Sequence, residues 1–350
     1  MVQLGILLSD NPKSVSGPQQ FKDIQRIVEV AQNNGFNHIA IGQHFLYGEL
    51  RWLQPVPLLA RLAADCDPGT RLVTNIMIAP LYHPVMLAEE IATLDIVTEG
   101  RFVFGAGLGY RPEEFDYLDV PYKERAGRFN ESLELMKKLW TQESVTHHGK
   151  YWTLDDVHPH IFPVQQPHPP IWIGAHAVPG VQRAAKYGDG FVSPPETPKH
   201  EVAARYKIVE EGFKARGKEF GPQPLRRNIL VADTREEAIA EYARVAKGRY
   251  ITYAQKGLDV YNVEQLEKEF AEAVAGHAII GTPDDVVAAL VDLVTTLPVD
   301  PLMVRPQWPA MDIEETIKTI ERLGREIVPA LKDIEPIRHI PDESLVGAPA

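Results

Sequence analysis

The chain has 350 residues, 44% of them hydrophobic and 24% charged, a balance that supplies a globular core and excludes disorder along most of its length. Its formal charge of -12, with no clustered Lys/Arg stripe, excludes the counterion-releasing contacts on which nucleic-acid binding depends. No apolar run approaches the ~20 residues that span a bilayer, and the one cysteine, Cys66, cannot form an internal disulfide and reads as a small buried thiol.

Short apolar runs alternate with longer amphipathic ones, the pattern of βαβ units around a parallel sheet. Strands are expected at 3–8, 38–42, 71–79, 101–105, 170–174, 190–193, 226–232 and 301–305. Eight such alternations predict one (β/α)8 barrel over 1–340, with 341–350 a loose tail. The opening run lacks a basic segment and turns polar at Ser9-Asp10 too early for a signal-peptide core, so a cytoplasmic protein is expected. Gly17-Pro18 opens the first helix.

The active site of such a barrel is built after the carboxyl ends of its strands. At the second of these stands Gly42-Gln43-His44-Phe45, which makes His44 the candidate hydrogen-bond donor or acid/base, while His38 at the other end is structural. Asn75 interrupts an apolar strand, and its amide needs polar partners. A helix follows His83-Pro84 and stops at Glu99-Gly100.

The turn Gly105-Ala106-Gly107-Leu108-Gly109-Tyr110 follows a strand but puts Tyr110 where a dinucleotide fingerprint needs glycine, so it suits a loop approaching a flavin or its phosphate. Arg128 could reach the same anion as a bidentate donor, whereas Arg125 reads as a solvated surface residue. Residues 146–170 read as a hairpin-like insertion, and its histidines, His147-His148 and His158-Pro159-His160, lack metal-ligand spacing, so no metal is expected. The loop Gly174-Ala175-His176-Ala177-Val178-Pro179-Gly180 joins a strand to a helix N-terminus, the preferred phosphate cradle. Thr234 and Thr282 carry capping patterns, and 250–277 reads as a late insertion. The last strand ends in Arg305-Pro306-Gln307-Trp308, a polar and aromatic wall in which Arg305 suits an anionic substrate or a structural ion pair. No G-x-S-x-G elbow, P-loop or C-x-x-C pair is present.

His83-Pro84, Leu87-Ala88-Glu89-Glu90-Ile91, Gly100-Arg101-Phe102-Val103-Phe104-Gly105-Ala106-Gly107-Leu108-Gly109, Glu113-Glu114-Phe115, Leu139-Trp140, Pro170-Ile171-Trp172-Ile173-Gly174, Gly188-Asp189-Gly190 and Gly281-Thr282-Pro283 occur in an order that strongly resembles the luciferase-like flavin monooxygenases. The resemblance implies a barrel, usually homodimeric, that takes reduced FMN from a separate flavin reductase, adds O2 at ring carbon C4a, and oxygenates a small organic substrate. It maps Gly109, Tyr110, Arg128 and the 174–180 turn (Gly174, Ala175, His176, Ala177, Gly180) to the phosphate and ribityl chain, Asn75 to the ring, and His44 to its neighbourhood. Two departures stand out: Gln43 precedes His44 where the family commonly has Glu, and Ala175 replaces a glycine. An F420-dependent hydride-transfer enzyme is the alternative within the fold, and a non-catalytic flavin-binding partner the alternative outside enzymology. On the oxygenase reading, His44 is expected to handle protonation, Asn75 to orient the ring and Arg305 to meet the substrate.

Overall fold

The computed structural model describes residues 1–8, 10–48, 50–256, 263–274 and 278–340, so the expected tail and part of 250–277 lie outside the described residues. Ten strands form the main sheet: β1 Leu4–Leu8, β2 His38–Ile41, β3 Arg71–Thr74, β4 Met77–Ile78, β5 Phe102–Gly107, β6 Ile171–Gly174, β7 Gly190–Val192, β8 Gln223–Val231, β9 Ala278–Gly281 and β10 Val299–Arg305. Their order is β7-β6-β5-β3-β2-β1-β10-β8-β9, with β4 beside β5, and every pairing is parallel. Parallel strands need helical crossovers and become buried on both faces, which is why β1, β2 and β5 carry no exposed residue.

The sheet curls on itself. Leu7, Ala40, Val73, Val103, Trp172, Val192 and Met303, one residue from each of seven strands, make a separate buried cluster inside the curl. The main apolar core lies outside it, between strands and helices. There Trp140 Nε1 donates to Ala88 O at 2.9 Å, tying the helix Arg125–Thr141 to Pro84–Val97. Capping follows the expected signals, since Thr234 and Thr282 each exchange side-chain and backbone hydrogen bonds with the third residue of their helices.

Three elements differ from the expectation. The third strand is split: β3 ends at Thr74 and β4 begins at Met77, with a cis peptide between Asn75 and Ile76. The helix after Thr234 runs Arg235–Gln255, so Tyr250 belongs to its last turns and to no insertion. β9 extends the sheet beyond β8, a strand that a four-residue apolar run does not distinguish from the lead-in to a helix. The stretch after residue 145 is an antiparallel hairpin, Val145–His148 with Thr153–Val157. Within it His147 pairs with Glu131 and His148 with Asp155, and among the described residues no group of three or more His, Cys, Asp or Glu could hold a metal. No helix of the described residues is long and apolar enough to cross a membrane.

Candidate active site

A cavity of about 440 Å³ opens at the carboxyl ends of the strands, bounded by Leu8 after β1, His44 after β2, Asn75 after β3, Tyr110 after β5 and Glu196 after β7. Close backbone approach shapes its floor. A β-carbon on Gly105 would lie 1.8 Å from Thr74 O, and one on Gly107 2.1 Å from Ile76 Cδ1, so the end of β3 can cross β5 only over glycine. Ile76 thereby covers Gly107 and Gly174 and faces the cavity. Beside it the Asn75 amide is buried; among the described residues its Nδ2 meets Met303 Sδ at 3.5 Å, and its Oδ1 has no hydrogen-bond partner. An unmet buried acceptor costs free energy unless a ligand supplies the donor.

His44 is held by a residue that the sequence reading named in a motif but gave no role in the site. Its Nδ1 lies 2.9 Å from Glu114 Oε1, which also accepts from Phe45 N at 2.8 Å and stands 3.3 Å from Arg111 Nη1. Glu114 and Arg111 are both buried. A carboxylate against a guanidinium only accepts, so Nδ1 carries the proton and Nε2 is left with a lone pair. Burial pushes the His44 imidazole below its ordinary value, with Glu114 pulling upward and Arg111 and Arg249 adding to the downward shift. The ring is packed among Tyr47, Trp52, Tyr110 and Tyr253, with centroids 4.5 to 6.0 Å away. Gln43 makes a different set of contacts, accepting from Ile78 N at 3.0 Å and donating to Gln54 Oε1 at 2.8 Å, and so pins β4 to β2.

The other wall is built from small residues. Gly109 has φ +74°, and Gly180 approaches Ala175 so closely that a β-carbon would lie 2.4 Å from the Ala175 Cβ. Gly174, Ala175, His176 and Ala177 continue this wall. The helix Val178–Tyr187 begins beside them with Ala177 as N-cap and no side-chain cap, so the positive end of its dipole is available to an anion. Arg125 and Arg183 lie here on the cavity wall, and among the described residues the buried Arg125 Nε has no hydrogen-bond partner. Arg128 lies outside this lining: it is bound to Glu124 at 3.0 Å and stacks near Tyr151 and Trp152. The structure thus brings Arg125 to the cradle and ties Arg128 to its own helix and the hairpin.

Arg305, at the end of β10, is buried on a third wall with Arg226 and Arg249. Asp10 lies behind them, 2.8 Å from Arg249 and 3.9 Å from Arg305. The cavity therefore joins a histidine held by Glu114, a buried amide, a glycine-lined helix start with two arginines and a second wall of three arginines.

Comparisons with known proteins agree with this geometry. The family model described as luciferase-like monooxygenase matches residues 2–300. The monooxygenase RslO1 from Streptomyces bottropensis superposes with a TM-score of 0.80 at 26% identity, covering 94% of this chain and 99% of that one. The oxygenase component of a flavin-dependent trigonelline monooxygenase from Acinetobacter baylyi is 31% identical over 45% of this chain and 44% of its own length. An F420-dependent glucose-6-phosphate dehydrogenase from Amycolatopsis mediterranei is 28% identical over 49% of this chain and 53% of its own.

Proposed function

Because the chain belongs to the luciferase-like monooxygenase family, we propose that it is an oxygenase that takes reduced FMN from a separate reductase and uses O2 on a small organic substrate. Its relatives include both a flavin-dependent monooxygenase component and an F420-dependent dehydrogenase. The observation that supports the FMN reading is the wall at Gly109 and 174–180, where a helix start without a side-chain cap lines the cavity together with Arg125 and Arg183. Asn75 Oδ1, buried and unmet, suits an N–H on the edge of the flavin ring, with Ile76 beneath. Bound reduced FMN supplies the two electrons with which O2 is activated. A separate reductase is supported by the Acinetobacter relative, whose name marks it as an oxygenase component. The Ser193–Leu225 parallel bridge, between the end of β7 and β8, supports reading the curled sheet as a closed (β/α)8 barrel.

His44 Nε2 takes and returns the proton that the reaction moves, because its lone pair is fixed by the Nδ1–Glu114 contact. Trp52, Tyr110 and Tyr253 surround that nitrogen's ring and exclude water from it. The test is anaerobic equilibrium binding of reduced FMN and of reduced F420, followed by air. Reduced FMN is expected to bind and then to be reoxidised by oxygen on the protein, with Arg125→Gln weakening it about tenfold. Binding of F420 alone, with indifference to air, moves the chain to hydride transfer.

A further inference from the structure

Among the described residues, five arginines reach the cavity wall, Arg125, Arg183, Arg226, Arg249 and Arg305, with one carboxylate, Glu196. In a chain of formal charge -12 this is a local inversion of sign. The arginines fall into two groups: Arg125 acts on Arg183, while Arg226, Arg249 and Arg305 act on one another. In the reading above, the first group holds the phosphate of the cofactor. Among the described residues the second group has Asp10 beside Arg249 and Arg305 and Glu196 near Arg226, and the buried Arg226 Nε has no hydrogen-bond partner. A buried guanidinium nitrogen without an acceptor is costly unless a ligand brings one. Burial, with Arg249 and Arg226 nearby, pushes the Arg305 guanidinium down to about 10, against the upward pull of Asp10. Aromatic surface adjoins it: Arg305 lies 5.4 Å from the Trp308 ring, and Arg249 lies 4.2 Å from Tyr253 and 5.8 Å from Trp52.

We propose that Arg226, Arg249 and Arg305 form the acid-binding end of the substrate site, so that the substrate is a small organic acid whose anionic head meets Arg226 and whose apolar body lies among Trp52, Tyr253 and Trp308. This rests on the reading that places the cofactor phosphate at Arg125. A guanidinium meets a carboxylate with two parallel hydrogen bonds, and an amide of the same shape accepts through one oxygen only. The wall therefore selects on charge at one end of the ligand and on shape at the other.

The test is isothermal titration of the full chain, without cofactor, with matched pairs: benzoate and benzamide, cinnamate and cinnamamide, octanoate and octanamide. At least one acid is expected to bind about tenfold or more tightly than its amide. Arg226→Gln and, separately, Arg305→Gln remove that preference yet leave reduced FMN within about twofold, whereas Arg125→Gln does the reverse. Circular dichroism confirms folding, and Arg226→Lys, which keeps the charge, retains part of the preference if glutamine unfolds the chain. The proposal is overturned if no acid binds better than its amide, or if Arg226→Gln weakens reduced FMN as much as it weakens the acid. An acid preference in a chain that fails to bind reduced FMN would sink the cofactor reading and keep the acid site.

Discussion

At the scale of single residues, Glu114 governs what His44 can do. Catalysis that needs the Nε2 lone pair rises as pH passes upward through the His44 pKa. The Glu114 charge raises that pKa against burial, so Glu114→Gln moves the acid limb of the kcat/KM profile to lower pH. The substituted amide also ceases to demand a proton on Nδ1, and kcat is expected to fall about a hundredfold. Arg111 loses its buried counter-charge, at about 3 kcal/mol of stability. A pH profile whose acid limb stays in place would mean that Glu114 only packs against His44. His44 and Asn75 were legible in the sequence because each is a polar residue set into or just after an apolar strand. Glu114 was not, since 70 positions separate it from His44. Arg125 and Arg128, three positions apart on one helix, differ by roughly 60° around its axis, too little for periodicity to say which faces the cavity.

At the scale of elements, the junction of β3 and β5 is the most constrained place in the sheet. Thr74 Oγ1 donates to Gly105 O and accepts from Gly105 N, both at 2.9 Å, and the Thr74 carbonyl occupies the space a side chain at 105 would need. Gly105→Ala must push the two strands apart, costing about 3 kcal/mol or more. Gly69→Ala, which meets nothing within 4 Å, is expected to change stability by less than about 0.5 kcal/mol. Urea unfolding of the pair checks this, and equal midpoints would show that the strands absorb a methyl group. The glycine run announced a close approach in the sequence, but not its partner. The run 71–79 reads as one strand that Asn75 interrupts, and what splits it is the close packing of Thr74 on Gly105 and of Ile76 on Gly107, a tertiary event outside any local window.

At the scale of the whole molecule, alternating apolar and amphipathic runs were enough to read a parallel α/β sheet, because parallel strands must be apolar throughout and separated by helices. The arginine wall was not readable this way. Arg226, Arg249 and Arg305 come from β8, a late helix and β10, and only the curl of the sheet brings them together. The same curl has a kinetic side. Its interior is plugged by seven side chains from Leu7 to Met303, so the cavity is a cul-de-sac with its door at the carboxyl ends of the strands. On the proposed reading, cofactor, acid and product share that door and pass through in turn. An occupant that arrives second becomes the bolt on the first: stopped-flow displacement of FMN should slow as a tightly bound acid is added, and a release rate indifferent to the acid would reveal a back exit.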